Sequence, residues 1–115
     1  MNIINEATGQ INYGTIRQAY KSLARDINTL EEYSVWVREW KEWYKAITAA
    51  IRTYRSIKND LKHGRIEKYG QIYSPMTAHG YKLALRPYAR QMLELRAAQK
   101  ERYKAGAFKR IEEAA

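Results

Sequence analysis

Apolar positions recur along this chain at intervals of three and four, with polar residues between them, which is the pattern of amphipathic α-helices. The clearest run is Tyr33, Trp36, Trp40, Trp43, Ile47, Ala50, Tyr54, Ile57 and Leu61, a heptad seam that a second row, Val37, Tyr44 and Ile51, widens to the face of a helix packed in a bundle. The seam predicts a helix over residues 30–63, about 50 Å long at about 1.5 Å per residue, with Gly64 at its C′ position. Ahead of it, Ile16, Tyr20, Leu23, Ile27 and Leu30 predict a helix over 15–28, capped by Thr15 and broken near Asn28-Thr29. Behind it, Ser74-Pro75 marks the start of a third helix over 75–104, whose Tyr81, Leu85, Tyr88, Met92 and Leu95 share one face. Pro87 lies inside that stretch and predicts a kink, or two abutting helices with Arg86 extended between them.

Residues 1–14, MNIINEATGQINYG, show no sustained period and are read as an extended N-terminal arm, and residues 105–115, from about Gly106, as a C-terminal tail. The expected fold class is therefore all-α: an elongated helical hairpin or three-helix bundle with an extended arm and a proline-kinked last helix. At 115 residues the chain suits one domain, here 15–104, and its 45% hydrophobic content is enough for a core. Ten Tyr and three Trp against one Phe make that core rich in rings with polar handles.

Charge changes the picture from a bare bundle to a binding protein. The net charge is +9, from 21 Lys and Arg against 12 Asp and Glu, and it is unevenly spread: residues 31–42 hold four acids, whereas residues 45–110 hold 16 basic and four acidic residues. On the long helix Arg38, Lys41, Lys45, Arg52, Arg55 and Lys62 occupy the b and f heptad positions, opposite the seam. On the last helix Lys82, Arg86, Arg90, Arg96, Lys100 and Lys104 fall within a band of about 120°, beside its apolar face. Solvated helix faces ordinarily mix signs in i, i+4 pairs, and these hardly do. Two basic stripes point to a polyanion, which needs only suitably spaced Lys and Arg; a merely solvated face and an acidic membrane surface are the competing explanations. The candidate nucleic-acid-binding residues are Lys45, Arg52, Arg55, Lys62, Lys82, Arg86, Arg90, Arg96, Lys100 and Lys104.

The aromatic residues could stack on unpaired bases, but Trp36, Trp40 and Trp43 lie on the seam with Ile47 and Tyr54, which assigns all five to the core or a subunit interface. Tyr13, Tyr69, Tyr73 and Tyr103 lie off the seams and remain candidate contacts. Chemistry has little to work with. No cysteine is present, which excludes disulfides, thiolate metal sites and cysteine nucleophiles. His63 and His79 both adjoin glycines at element boundaries; Glu67 follows His63 by four residues, but the intervening Gly64 breaks the helical face a metal pair would need. Glu39 and Glu42 fall at polar heptad positions. No catalytic residue, metal or cofactor is expected, and a non-enzymatic protein is the expectation. With no apolar run of 18 residues and no signal-peptide pattern in Met1–Gly14, a soluble protein is expected, neither secreted nor transmembrane.

The segment from Tyr69 to Arg96, YGQIYSPMTAHGYKLALRPYARQMLELR, resembles the C-terminal part of the major coat proteins of rod-shaped and filamentous archaeal double-stranded DNA viruses. The matching elements are Tyr69-Gly70, Pro75, Gly80, the run Lys82-Leu83-Ala84, and Ala89-Arg90 followed by Leu93. The Trp-bearing heptad helix departs from the rod-shaped members, so the similarity is closer to the filamentous ones. It implies subunits whose helical hairpins pair as homo- or heterodimers and wrap DNA in a helical virion without sequence readout, with an N-terminal arm reaching a neighbour. The family supplies no site motif, so the candidate residues rest on the charge stripes alone. The expected partners are double-stranded DNA and further copies of this chain or a paralogue, in a virion or in the host cytoplasm during infection. Two other classes remain: a small viral or plasmid-encoded inhibitor of a host nucleic-acid-processing complex, and a helical adaptor for an acidic protein.

Overall fold

The computed structural model describes residues 3–5, 8–60, 66–68, 71–73 and 75–109, with the backbone alone for 60, 66–68, 71–73, 75 and 76. The fold is all-α: helix α1 spans Tyr13–Leu23, α2 Leu30–Asp60 and α3 Pro75–Lys104. In the connection between α2 and α3, strands β1 (Ile66–Lys68) and β2 (Gln71–Tyr73) pair antiparallel as a short ribbon, in the register Ile66↔Tyr73, Glu67↔Ile72 and Lys68↔Gln71. Helices α2 and α3 form a long antiparallel hairpin, and α1 packs across both. The molecule measures 62 × 23 × 15 Å with a radius of gyration of 17.9 Å. A compact chain of this length would have about 13 Å, so the fold is a rod.

The start of α2 is fixed by Thr29 as N-cap, in the Thr-x-x-Glu pattern of a capping box. The Glu32 N–H donates to Thr29 Oγ1 at 3.1 Å, and the Thr29 hydroxyl in turn meets Glu32 Oε1 at 3.1 Å. Glu31 and Glu32 also place negative charge at the positive end of the helix dipole. Helix α1 ends at Leu23 rather than near Asn28, because Ile27 reaches the core from non-helical backbone and is fully buried. It begins at Tyr13, before the expected Thr15 cap; its N-cap position is Asn12, which makes no side-chain capping hydrogen bond.

The described residues of the stretch read from sequence as an extended arm, 3–5 and 8–12, fold back instead. The Asn5 N–H donates to Gln10 O and the Asn12 N–H to Ile3 O, both at 2.8 Å, and Ile4 and Ile11 form an antiparallel bridge. This loop puts Ile3, Ile4 and Ile11 in the core, each at most 7% exposed. The physical reason is area: three isoleucines in water would each forgo about 1.5–3 kcal/mol of burial.

The tail is likewise docked as far as Lys109, the last described residue. Gly106, at φ 72°, closes α3 with a Schellman motif in which the Gly106 N–H reaches Tyr103 O and the Ala107 N–H reaches Arg102 O. The chain then turns back, buries Phe108, and pairs Lys109 with the start of α2 through Lys109 N–H to Asn28 O and Leu30 N–H to Lys109 O. Helix α3 runs unbroken through Pro87, so the expected division into two helices does not occur. Pro87 and Leu83, the residue whose carbonyl loses its partner, are both exposed, which leaves that carbonyl on the water side.

The tryptophan seam is an intramolecular core. Trp36 is fully buried and its indole N–H donates to Leu23 O at 2.7 Å, tying α2 to α1; the Trp40 N–H donates to Met92 O at 2.7 Å, tying α2 to α3. Ile47 and Tyr54 are fully buried within the same chain, while Trp43 is half-buried against them.

Candidate nucleic-acid interface

Contacts between helices fix which side of the hairpin each basic residue occupies. On α2, Trp36 and Glu39 face α1, the first through Leu23 and the second through an ion pair with Arg25 at 2.8 Å. On α3, Tyr88 and Gln91 line the cleft against α1, and Tyr13 packs on Tyr88 at 5.9 Å between ring centroids. Residues of one helix turn by about 100° each. From these anchors, Lys41, Lys45, Arg52 and Arg55 on α2 and Lys82, Arg86, Lys100 and Lys104 on α3 all project to the broad face away from α1. The two stripes, separate in sequence, are therefore brought onto one surface. Arg38 and Arg90 stand at its edges, both exposed.

The acids of α2 and α3 whose side chains are described are kept off it. Glu31, Glu32, Glu39 and Glu42 on α2 and Glu94 and Glu101 on α3 fall in other sectors by the same geometry. Among the described residues a single ion pair touches the rim, Lys104 to Glu101 at 3.7 Å, with both side chains mostly exposed. Such a pair contributes little in water.

Two predicted contacts are less free than the sequence implied. The Arg96 guanidinium lies over Trp40, 5.1 Å from the ring centroid, and its Nη1 is buried without a hydrogen-bond partner among the described residues. Lys82 is only 8% exposed. Its pKa is lowered by that burial and by the charges of Lys58, Arg86 and Arg55. Lys62 lies outside the described residues, as do His63 and Tyr69; of Tyr73 only the backbone is described.

Lys58 and His79 belong to the charged surface although neither was singled out as a contact. Lys58 Nζ lies 3.2 Å from His79 Nδ1. An ammonium can only donate, so Nδ1 accepts and the ring is the neutral tautomer with its proton on Nε2. The His79 pKa is accordingly lowered, first by Lys58, then by desolvation, Lys82 and Arg86. No spacing within one helix signals this pairing; only the hairpin register brings residues 58 and 79 together.

Of the off-seam tyrosines, Tyr13 is half-buried on Tyr88, whereas Tyr103 stacks on Tyr33 at 5.2 Å and stays 53% exposed. On the opposite side of the rod, Gly14, Arg17, Gln18, Tyr20, Lys21, Tyr88 and Gln91 border an open cleft of about 500 Å³. Among the described residues no group of three or more His, Asp or Glu side chains is arranged to hold a metal, and no helix is long and apolar enough to cross a membrane. Comparison with known proteins returned no matching family model, curated protein or solved structure.

Proposed function

We propose that this protein coats double-stranded DNA through the face of the α2–α3 hairpin turned away from α1, as the subunit of a helical assembly such as a virion. The observation that carries the reading is the convergence of basic residues from two helices on one face, with a single acid, Glu101, at its rim among the described residues. An ordinary solvated surface intersperses signs, and this one does not. The α3 stripe from Lys82 to Lys104 runs about 33 Å at about 1.5 Å per residue, close to one turn of duplex, about 34–36 Å. Lysine and arginine on a smooth helical face neutralise phosphates without entering a groove, so affinity without sequence readout follows. The setting in a virion rests on the resemblance of residues 69–96 to archaeal viral coat proteins.

Electron microscopy of the protein mixed with plasmid DNA tests the reading. Regular protein-covered filaments of uniform width are the expected result, together with equal affinity for duplexes of unrelated sequence. Bare DNA at saturating protein, or a stoichiometric complex with one host enzyme and none with DNA, would count against it.

A further inference from the structure

One part of the basic face is built differently from the rest. Lys41, Lys45, Lys100 and Lys104 are exposed, and each has a long flexible stem. At the junction of α2 and α3, in contrast, Arg55 and Lys58 from one helix meet His79, Lys82 and Arg86 from the other. Lys82 is held by burial of its stem at 8% exposure, and Lys58 is half-buried with its Nζ fixed on His79. Among the described residues no carboxylate pairs with any of the five. Crowding like charges opposes folding, and burying most of a lysine side chain among them adds to that cost. The packing of two helices does not need a lysine at position 82, where an apolar residue would fill the same space.

We propose that Arg55, Lys58, His79, Lys82 and Arg86 form a preorganised oxyanion site that holds one phosphate of the nucleic-acid backbone. The donors suit a tetrahedral anion: two guanidinium forks and two ammonium groups, with the neutral His79 ring accepting from Lys58 through Nδ1 and so holding that ammonium in position. The Lys82 pKa is lowered first by burial and then by Lys58, Arg86 and Arg55, and that of His79 first by Lys58, a repulsion among cations that an entering anion relieves. Placed at one end of an otherwise evenly charged face, the site fixes the register of the rod on its ligand while the remaining contacts slide. It rests on the DNA-coating reading for the source of the phosphate, but not for its chemistry.

The test uses the full chain, with inorganic pyrophosphate and a 12-base-pair duplex as probes and the imidazole proton signals of His79 as the local readout. Pyrophosphate is expected to move the His79 signals saturably. Lys82→Met, and separately the exposed pair Arg55→Gln with Arg86→Gln, should weaken pyrophosphate binding at least about tenfold, the scale of one or two lost charge-assisted hydrogen bonds. The pair Lys100→Gln with Lys104→Gln, equal in charge removed, should leave it unchanged. No saturable shift at His79, or equal weakening by both pairs, overturns the site. Duplex binding that the cluster substitutions do not affect overturns the site and leaves the coating reading in place. Pyrophosphate bound at His79 without duplex binding supports the oxyanion chemistry and overturns DNA as its source, and binding to phosphatidylglycerol vesicles in that case assigns the phosphate to lipid.

Discussion

The indole N–H of Trp40 donates to the carbonyl oxygen of Met92 at 2.7 Å, across the α2–α3 hairpin and 52 residues apart in the chain. Trp40 also carries Arg96 over its ring and stacks on Tyr44 at 4.8 Å between centroids. One side chain thus fixes hairpin register and seats the guanidinium of Arg96.

Trp40→Phe keeps a ring but removes the donor, and should cost about 1–2 kcal/mol. Trp36→Ala also opens a large cavity at a fully buried position and should cost about 3–5 kcal/mol. Urea denaturation of both variants checks the ranking, and an equal effect would remove the distinction drawn between bond and cavity.

Residues 105–109 are part of the folded unit. Phe108 stacks on Tyr33 at 4.8 Å, and Arg102, which also donates to Ile27 O at 2.8 Å, lies 4.8 Å over its ring. Phe108→Ala should cost about 3 kcal/mol and should release the amide of Leu30 to hydrogen exchange, because that amide is held by Lys109.

Two glycines should respond to alanine in opposite directions. Gly106 adopts φ +72° with no heavy atom within 4 Å of an added Cβ, so Gly106→Ala costs about 1 kcal/mol through backbone conformation alone. Gly80 lies inside α3, also with open space around it, so Gly80→Ala stabilises by about 0.5–1 kcal/mol. Thermal melts of the two variants read the contrast.

Stability should depend on pH through His79. Its pKa is lowered from 6.5 by Lys58, desolvation, Lys82 and Arg86, so below pH 6.5 the unfolded chain binds more protons than the folded one. Folding stability therefore falls as pH drops through 6.5 toward the folded value, and His79→Gln should flatten that part of the profile. Lys82 acts in the same sense at alkaline pH: its lowered pKa makes stability rise as pH climbs from the folded value toward 10.5, and Lys82→Met should raise stability at neutral pH.

The periodic parts of the fold were readable in the sequence. The seam from Tyr33 to Ile57 and the Ser74-Pro75 signal located α2 and α3, because long helices bury a stripe that repeats with their own pitch. Residues 3–5 and 8–12 gave no such sign: Ile3, Ile4 and Ile11 are buried by a loop whose shape comes from backbone hydrogen bonds rather than from any period. Ile27 and Leu30 continued the spacing of the first helix by coincidence, and the Thr29–Glu32 capping box was the overlooked signal that a new helix starts there. On the candidate interface, the two basic stripes were legible helix by helix. Their union on one face, the burial of Lys82, the seating of Arg96 on Trp40 and the pairing of Lys58 with His79 depend on how α2 and α3 meet, which no spacing within one helix encodes.

The central claim is that this face binds the phosphate backbone, and its most direct measurement is duplex affinity as a function of salt. With about six to ten phosphates neutralised, the affinity of the full chain should fall about 10³ to 10⁵-fold between about 50 and 200 mM salt. The fall should be the same for duplexes of unrelated sequence and shallower after Arg52→Glu with Arg55→Glu. Binding that is absent at low salt, or that does not change with salt, would contradict the account.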